Sequence, residues 1–538
     1  MFNYSKILII GLIAGALCSG LSAQQTHGIG WRTIEQVGTT NAWLSSVNAA
    51  GLYTLSSIRM SLVEGYAGKK SGDFVNYGSS DNSLKLGAVA ESFYRLNSTV
   101  VFYGLLDYNR FTGKNMAGSY FIDPDDAPFN IVEYSDDNRG EKEMEHYHLT
   151  GAVSVDLSEK IVLGAKLNYI VANYAKMKDL RHKSELMDLD AAVGVVLRLA
   201  PRFDLGISAT YRRRVEGVYI DMYGTTDKTY NSLIDYGAFW GKKEQFGENG
   251  YTSDGEEKPL ADNYYGVSFQ TNWIISDRLH WFNELSACVR DGYYGKKSPS
   301  TVVFSEHSGV HYSYKGRLSL LKKNSEHFFN VAALYKEVEN CENIYRYDNE
   351  GGGLTNVNYY GELETSGKKY FQAQVGYAGH WAVVDDAPQW VTTASLTYLN
   401  RDIKASIYPY YRKQQLHRYV INVATERMIY CKNDAYTFRL GATYQKGGGE
   451  PFEDRMYSST TTSGNTPKSM SLYLMQEYEY LTNAAVKGEA GFKYTRRISD
   501  SGMRVYISFT YGYTKAFDVT YLQGSSLNDY QFKIGCTF

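Results

Sequence analysis

Tyr530, Phe532, Ile534, Cys536 and Phe538 alternate with Gln531, Lys533, Gly535 and Thr537. A period of two, apolar against polar or small, is that of a β-strand with one face in an apolar medium. The strand ends on an aromatic residue with no tail beyond it. That ending suits a closed barrel, whose last strand pairs with its first and removes both edges.

The alternation recurs along the chain. Tyr147, Leu149, Gly151, Val153, Val155 and Leu157 oppose His148, Thr150, Ala152, Ser154 and Asp156. Leu163 to Val171, Leu189 to Leu199 and Leu205 to Tyr211 repeat it. Earlier candidates cover about 54–64, 84–95 and 99–110. Later ones centre near 268, 285, 312, 333, 374, 395, 423, 441, 475, 490, 509 and 534. A single-chain outer-membrane barrel takes an even strand number. Nineteen candidates therefore contain one error, and the pattern predicts an all-β fold, a single large antiparallel transmembrane β-barrel of about 18 strands, with 16 to 20 open.

The joins add weight. Short ones fall near 97, 159, 201, 276 and 323; long ones near 66–82, 112–145, 175–185 and 221–262. Short turns at one end and long loops at the other are the barrel arrangement. Later Gly-rich loops surround 351–353 and 447–467. Neither has the lysine offset or the strand–loop–helix context of a phosphate cradle.

Composition agrees. The 538 residues include 49 Tyr and 23 Phe but only 9 Pro, which suits a sheet whose strand ends lie at membrane–water interfaces. The formal net charge of -2 gives no argument for nucleic acid as a partner. Residues 1–23 read as a secretory signal peptide: Lys6, an apolar stretch from Ile7 to Leu17, and the exit Leu21-Ser22-Ala23. Beyond them no apolar run reaches helix-spanning length. Residues 24–53 read as a periplasmic or lumenal lead-in, too short for a plug domain with its own core, and 54–538 as the barrel. Cys288, Cys341, Cys431 and Cys536 lack metal-site spacing; a Cys341–Cys431 disulfide is left open.

The polar parity names the candidate lumen-lining residues: Lys85, Glu91, Arg95, His148, Lys166, Asp188, Asp190, Arg198, Arg212, Arg418, Glu426, Arg439, Arg504 and Lys533. Both signs are mixed, which argues against strong charge selectivity and equally allows a stiffening cross-lumen network. No nucleophile elbow, HExxH or close Cys–His arrangement is found. The expectation is a non-enzyme with no cofactor, metal or catalytic residue.

Four short motifs carry a resemblance: Asn48-Ala49-Ala50-Gly51-Leu52; Glu91-Ser92-Phe93-Tyr94-Arg95-Leu96 followed by Gly104 and Asp107-Tyr108; Lys178-Asp179-Leu180-Arg181; and Tyr408-Pro409-Tyr410-Tyr411. With these the chain resembles the uncharacterised outer-membrane β-barrel proteins of Bacteroidota. The resemblance implies fold and location, and no substrate.

The leading functional reading is an outer-membrane channel or transport-associated barrel for a small polar solute, passive or gated by a partner. The alternative is a binding or assembly module whose long loops at 112–145, 221–262 and 447–467 grip a surface lipoprotein or secreted partner. A membrane-embedded hydrolase is a third reading. Expected partners are outer-membrane lipids and lipopolysaccharide, and the barrel-assembly machinery through the strand ending in Phe538.

Overall fold

A computed structural model describes residues 31–55, 59–223, 227–248, 250–253, 257–349, 355–458, 466–498 and 502–538. The signal-peptide reading of 1–23 lies outside them. In chain order the elements begin with helix α1 (Ile34–Thr40), 3-10 turns at Ala42–Ser45 and Ala49–Thr54, then β1 (Arg59–Gly72), β2 (Asn82–Arg95), β3 (Val100–Met116), β4 (Asn130–Glu133), β5 (Gly140–Ser158), β6 (Ile161–Lys176), β7 (Arg181–Ala200), β8 (Phe203–Asp221), β9 (Asn231–Gly237) and β10 (Trp240–Gln245). There follow β11 (Lys258–Ser276), β12 (Leu279–Ser298), β13 (Thr301–Lys322), β14 (Ser325–Asn349), β15 (Thr355–Trp381), β16 (Trp390–Ile407), β17 (Tyr410–Cys431), β18 (Asp434–Met456), β19 (Lys468–Ser469), helix α2 (Ser471–Thr482), β20 (Ala485–Arg497), β21 (Arg504–Ala516) and β22 (Ser526–Thr537).

Eighteen of these strands form one sheet of antiparallel neighbours, closed because β1 pairs with both β2 and β22. The closing register runs from Leu62 opposite Thr537 to Gly72 opposite Leu527. Closure removes every edge, as the terminal alternation predicts. The nineteenth candidate, near 475, is the mistaken one: it is α2, not a strand. The first strand starts at Arg59 rather than near 54. The connection expected to be long at 175–185 is only 177–180, because β6 and β7 continue past it. The four cysteines outside residues 1–23 are free thiols, Cys341 and Cys431 included.

Outward side chains form a belt. Down β11 they are Tyr265, Val267, Phe269, Thr271 and Trp273; on neighbouring β8 they are Tyr211, Ala209, Ile207, Leu205 and Phe203, in register. Tyr265, Phe269 and Trp273 are 52%, 50% and 46% exposed, unusual for side chains of this size in water. An upper aromatic row is continued by the pairs Tyr108–Tyr147, Tyr312–Tyr335, Tyr398–Tyr419 and Tyr511–Tyr530, a lower one by Trp273–Trp281 and Trp381–Trp390. Eight residues separate Tyr265 from Trp273, about 20 Å of height at usual barrel tilt.

The interior is filled from both ends. At the end of the short turns, residues 31–55 form a plug. At the other end a second sheet, β4-β9-β10-β19, together with α2 forms a cap. Cap residues Phe121, Phe129, Ile131, Ile234, Tyr236 and Trp240 pack with wall residues from β8, β11, β12, β13 and β16. The β9–β10 turn places Ala238 and Phe239 both at φ 52°, a left-handed pair more usual for Asn-Gly. Phe239 is fixed edge-on against Tyr77 and Tyr473.

Candidate functional site

The plug is short but tightly placed. Thr33 and Gln36 make a capping box that starts α1. Asn48 is its anchor: Nδ2 donates to Val195 O, Ile207 O and Gln270 Oε1 at 3.1, 3.3 and 3.0 Å, while Oδ1 accepts from Ala50 N. The approach works because the facing wall lacks side chains. A Cβ on Gly164 would lie 1.9 Å from Ala50 N, and one on Gly194 would lie 2.2 Å from Asn48 Oδ1. Arg95 donates to the carbonyls of Tyr53 and Leu55, Arg317 to those of Gly38 and Thr39, and Glu284 accepts from Ser46 and Val47.

The cap is pinned by charge. Glu133 of β4 lies between Lys142 and Lys176, both fully buried, the first at 3.5 Å. Arg401 holds Glu477 of α2 at 2.7 Å, and Arg412 donates to Ala238 O. Asp235 accepts from the backbone nitrogens of Gly237 and Trp240; burial pushes its carboxyl up to about 6. Burial also raises the Asp126 carboxyl, but Lys336, Arg290 and Arg214 outweigh it and hold it well below its ordinary value.

Beside the plug lies a cavity of about 900 Å³, lined by one side of the plug and by β15–β18, β20–β22, β1 and β2 among other strands. A second, of about 640 Å³, shares Ala378, Thr393, Arg439 and Glu489 with it. Arg439 bridges Glu426 and Glu489 at 2.6 and 2.9 Å, and Lys487 continues the chain from Glu489 to Asp529 at 3.4 and 3.3 Å. Glu64 takes Lys533 at 3.0 Å and the Tyr506 hydroxyl at 2.6 Å. Lys493 sits over the Tyr506 ring at 3.9 Å.

Of the polar-parity residues, Glu91, Lys166, Glu426, Arg439, Arg504 and Lys533 line this chamber. Arg95 and Arg198 hold the plug instead, Arg198 stacking over Tyr53 and pairing with Asp156. Arg418 reaches Gln445, which donates to Tyr480 O of α2. Asp188 pairs with Arg212, which lies over Tyr264. Asp190 stands opposite Arg212 in register. His148 contacts Asn168 within the wall. Lys85 stands opposite Gly68, which faces the chamber residue Gln531, and its side chain is exposed. The charged parity thus divides among three tasks that one strand pattern cannot distinguish. Missed altogether were Asn48 as anchor and Glu133 and Asp126 as cap contacts. Gly164 and Gly194 on the inward parity were the available signal for the first.

Among the described residues no cluster of His, Cys, Asp or Glu has the makings of a metal centre. Among curated proteins none matches the chain. Solved structures similar to it include the ferric preacinetobactin receptor BauA of Acinetobacter baumannii and the outer membrane transporter YddB of Escherichia coli, each 8% identical with TM-score 0.40 over 89% of this chain and 80% of that one. The TodX monoaromatic hydrocarbon channel deltaS2 mutant is 11% identical with TM-score 0.30 over 92% and 93%. A family model described as a family of unknown function, DUF6850, matches residues 49–538, and the chain belongs to that family.

Proposed function

We propose that this protein is an outer-membrane barrel that passes a small polar solute when a partner or ligand moves its plug or cap. The observation that carries the reading is the charged chamber beside the plug of a capped barrel, inside a wall whose outside is apolar between two aromatic rows. Apolar outside and wet inside is the arrangement of a membrane barrel. The filled lumen favours gating over passive leak. The family resemblance noted from Asn48-Ala49-Ala50-Gly51-Leu52 supports a Bacteroidota outer membrane as the setting, reached after signal-peptide removal. Lipopolysaccharide would surround the belt, and assembly would engage the strand ending at Phe538.

The test is planar-bilayer recording of the purified protein. Small or intermittent currents are expected from the wild type and larger, steady ones after weakening the plug by Asn48→Ala. A barrel that inserts yet stays silent in both forms ends the transport reading.

The loop-display alternative loses ground, because the described parts of the segments that follow β3, β8 and β18 supply the cap from within. What remains for a surface lipoprotein is the hairpin of β14 and β15, 25 and 27 residues long. Its removal would abolish co-purification with such a partner while leaving the barrel inserted.

A further inference from the structure

The cap meets a basic part of the wall through residues 122–128, a tongue reading Ile-Asp-Pro-Asp-Asp-Ala-Pro. Its acidic side chains and carbonyls meet cations from several strands. Asp126 takes Lys336 of β14 at 2.9 Å and Arg214 of β8 at 3.4 Å, and its carbonyl accepts from Arg290 of β12 at 2.8 Å. Asp123 lies 3.6 Å from Arg214. Lys368 of β15 donates to Ala127 O at 2.8 Å.

Part of this wall charge is balanced without the tongue. Asp262 holds Arg290 and His307, both at 2.6 Å, and Glu216 lies 3.4 Å from Arg214. The lysines differ. Among the described residues the ion-pair partner of Lys336 is Asp126, and Lys368 forms no ion pair with a wall carboxylate. Withdrawing the tongue would leave the Lys336 ammonium and one face of the Arg214 guanidinium turned into the lumen, and would leave Lys368 to the charge of Asp235 on β9. Partly desolvated cations without partners are expensive, and an incoming anion would relieve them.

We propose that Lys336, Lys368 and Arg214 form a binding site for a polyanionic solute, with two or more closely spaced negative oxygens, and that the tongue is its built-in stand-in. The tongue presents what such a solute would present: clustered anionic and carbonyl oxygens on a small frame. Polyanion binding and cap docking are then mutually exclusive, so the solute drives its own admission by competing for the same cations. This rests on the gated-transport reading and gives its solute a chemical class. Phosphate esters and polycarboxylates share that chemistry.

Equilibrium dialysis with radiolabelled tripolyphosphate and, separately, citrate tests the site without relying on current. The proteins are the full-length wild type, a variant with 122–128 replaced by a short Gly-Ser link, and the milder pair Asp123→Asn with Asp126→Asn. Folding is checked by heat-dependent gel mobility; should the replacement fail it, the asparagine pair carries the comparison. Retention of at least one polyanion is expected to be about tenfold tighter in the tongue variants than in the wild type, and to fall about tenfold for each of Lys336→Gln and Lys368→Gln. Which polyanion is held separates the phosphate from the carboxylate source. Equal retention in wild type and variants, no retention, or indifference to the lysine changes overturns the proposal. Bilayer currents from the same proteins are read separately: binding without current ends transport but leaves the site, whereas current without binding ends the site but leaves transport.

Discussion

Ser61 and Phe538 exchange both backbone hydrogen bonds, Ser61 N to Phe538 O at 2.8 Å and Phe538 N to Ser61 O at 3.0 Å. They extend the β1–β22 seam to the chain's last residue, where Arg59 lies 5.3 Å from the Phe538 ring centroid. Deleting residues 527–538 would expose the edges of β1 and β21 together. The expected outcome is loss of the compact, heat-sensitive gel band; a truncated protein that still ran as a folded barrel would contradict the seam's role.

Asn48→Ala removes the three donated contacts to the wall and one accepted contact within the plug. A loss of about 1–3 kcal/mol in plug docking is expected. Limited proteolysis should then cut residues 31–55 faster, with the barrel intact. Gly164→Val should act in the same direction and more strongly, because its Cβ would occupy the position of Ala50.

Glu133 compensates two buried lysines. Glu133→Gln leaves Lys142 and Lys176 facing each other's charge in a dry site. The cap should weaken by about 3–5 kcal/mol, measured as faster amide exchange in β4 and β9. Glu133→Asp, which keeps the charge, should recover part of the protection.

Asp235 imposes a pH dependence opposite to that of an ordinary salt bridge. Its folded value, about 6, lies above the unfolded one. The folded state therefore binds more protons between about pH 4 and pH 6, and cap stability falls as pH rises through that window. Asp235→Asn can keep both accepted bonds through one oxygen. It should flatten the window and gain about 1–2 kcal/mol at pH 7.5, read from exchange protection of β9 and β10. Asp126 has the other sign: its contribution is present above the ordinary aspartate range and is lost only in strong acid.

The wall was legible because a two-sided strand declares itself residue by residue. Leu189 and Val193 point one way, Asp188 and Asp190 the other, with no need to know their neighbours. The cap was not legible. Its order depends on contacts such as Arg401 to Glu477 and Arg214 to Asp126, 76 and 88 residues apart in sequence. Helix α2 read as a strand because its Leu and Tyr residues also satisfy an alternating template. Its buried positions Tyr473, Leu474 and Glu477 follow a helical face that is visible only once the cap surrounds it. Six of the charged residues around the chamber share the polar parity, but Glu64, Glu489 and Lys493 beside them were not among the candidates, and parity could not separate Arg439, which borders open space, from Arg95, which holds the plug.

The β9–β10 turn carries a mechanical consequence. Ala238 and Phe239 occupy a conformation that side-chain-bearing residues adopt at a cost of about 1–3 kcal/mol each. Tyr77, Tyr473 and the Asp235 carboxylate keep them there. The hairpin tip is therefore a cocked spring whose catch lies in other parts of the chain. Take those contacts away and the turn is free to relax, so the shape of this hairpin tip is written in residues far from it in the chain.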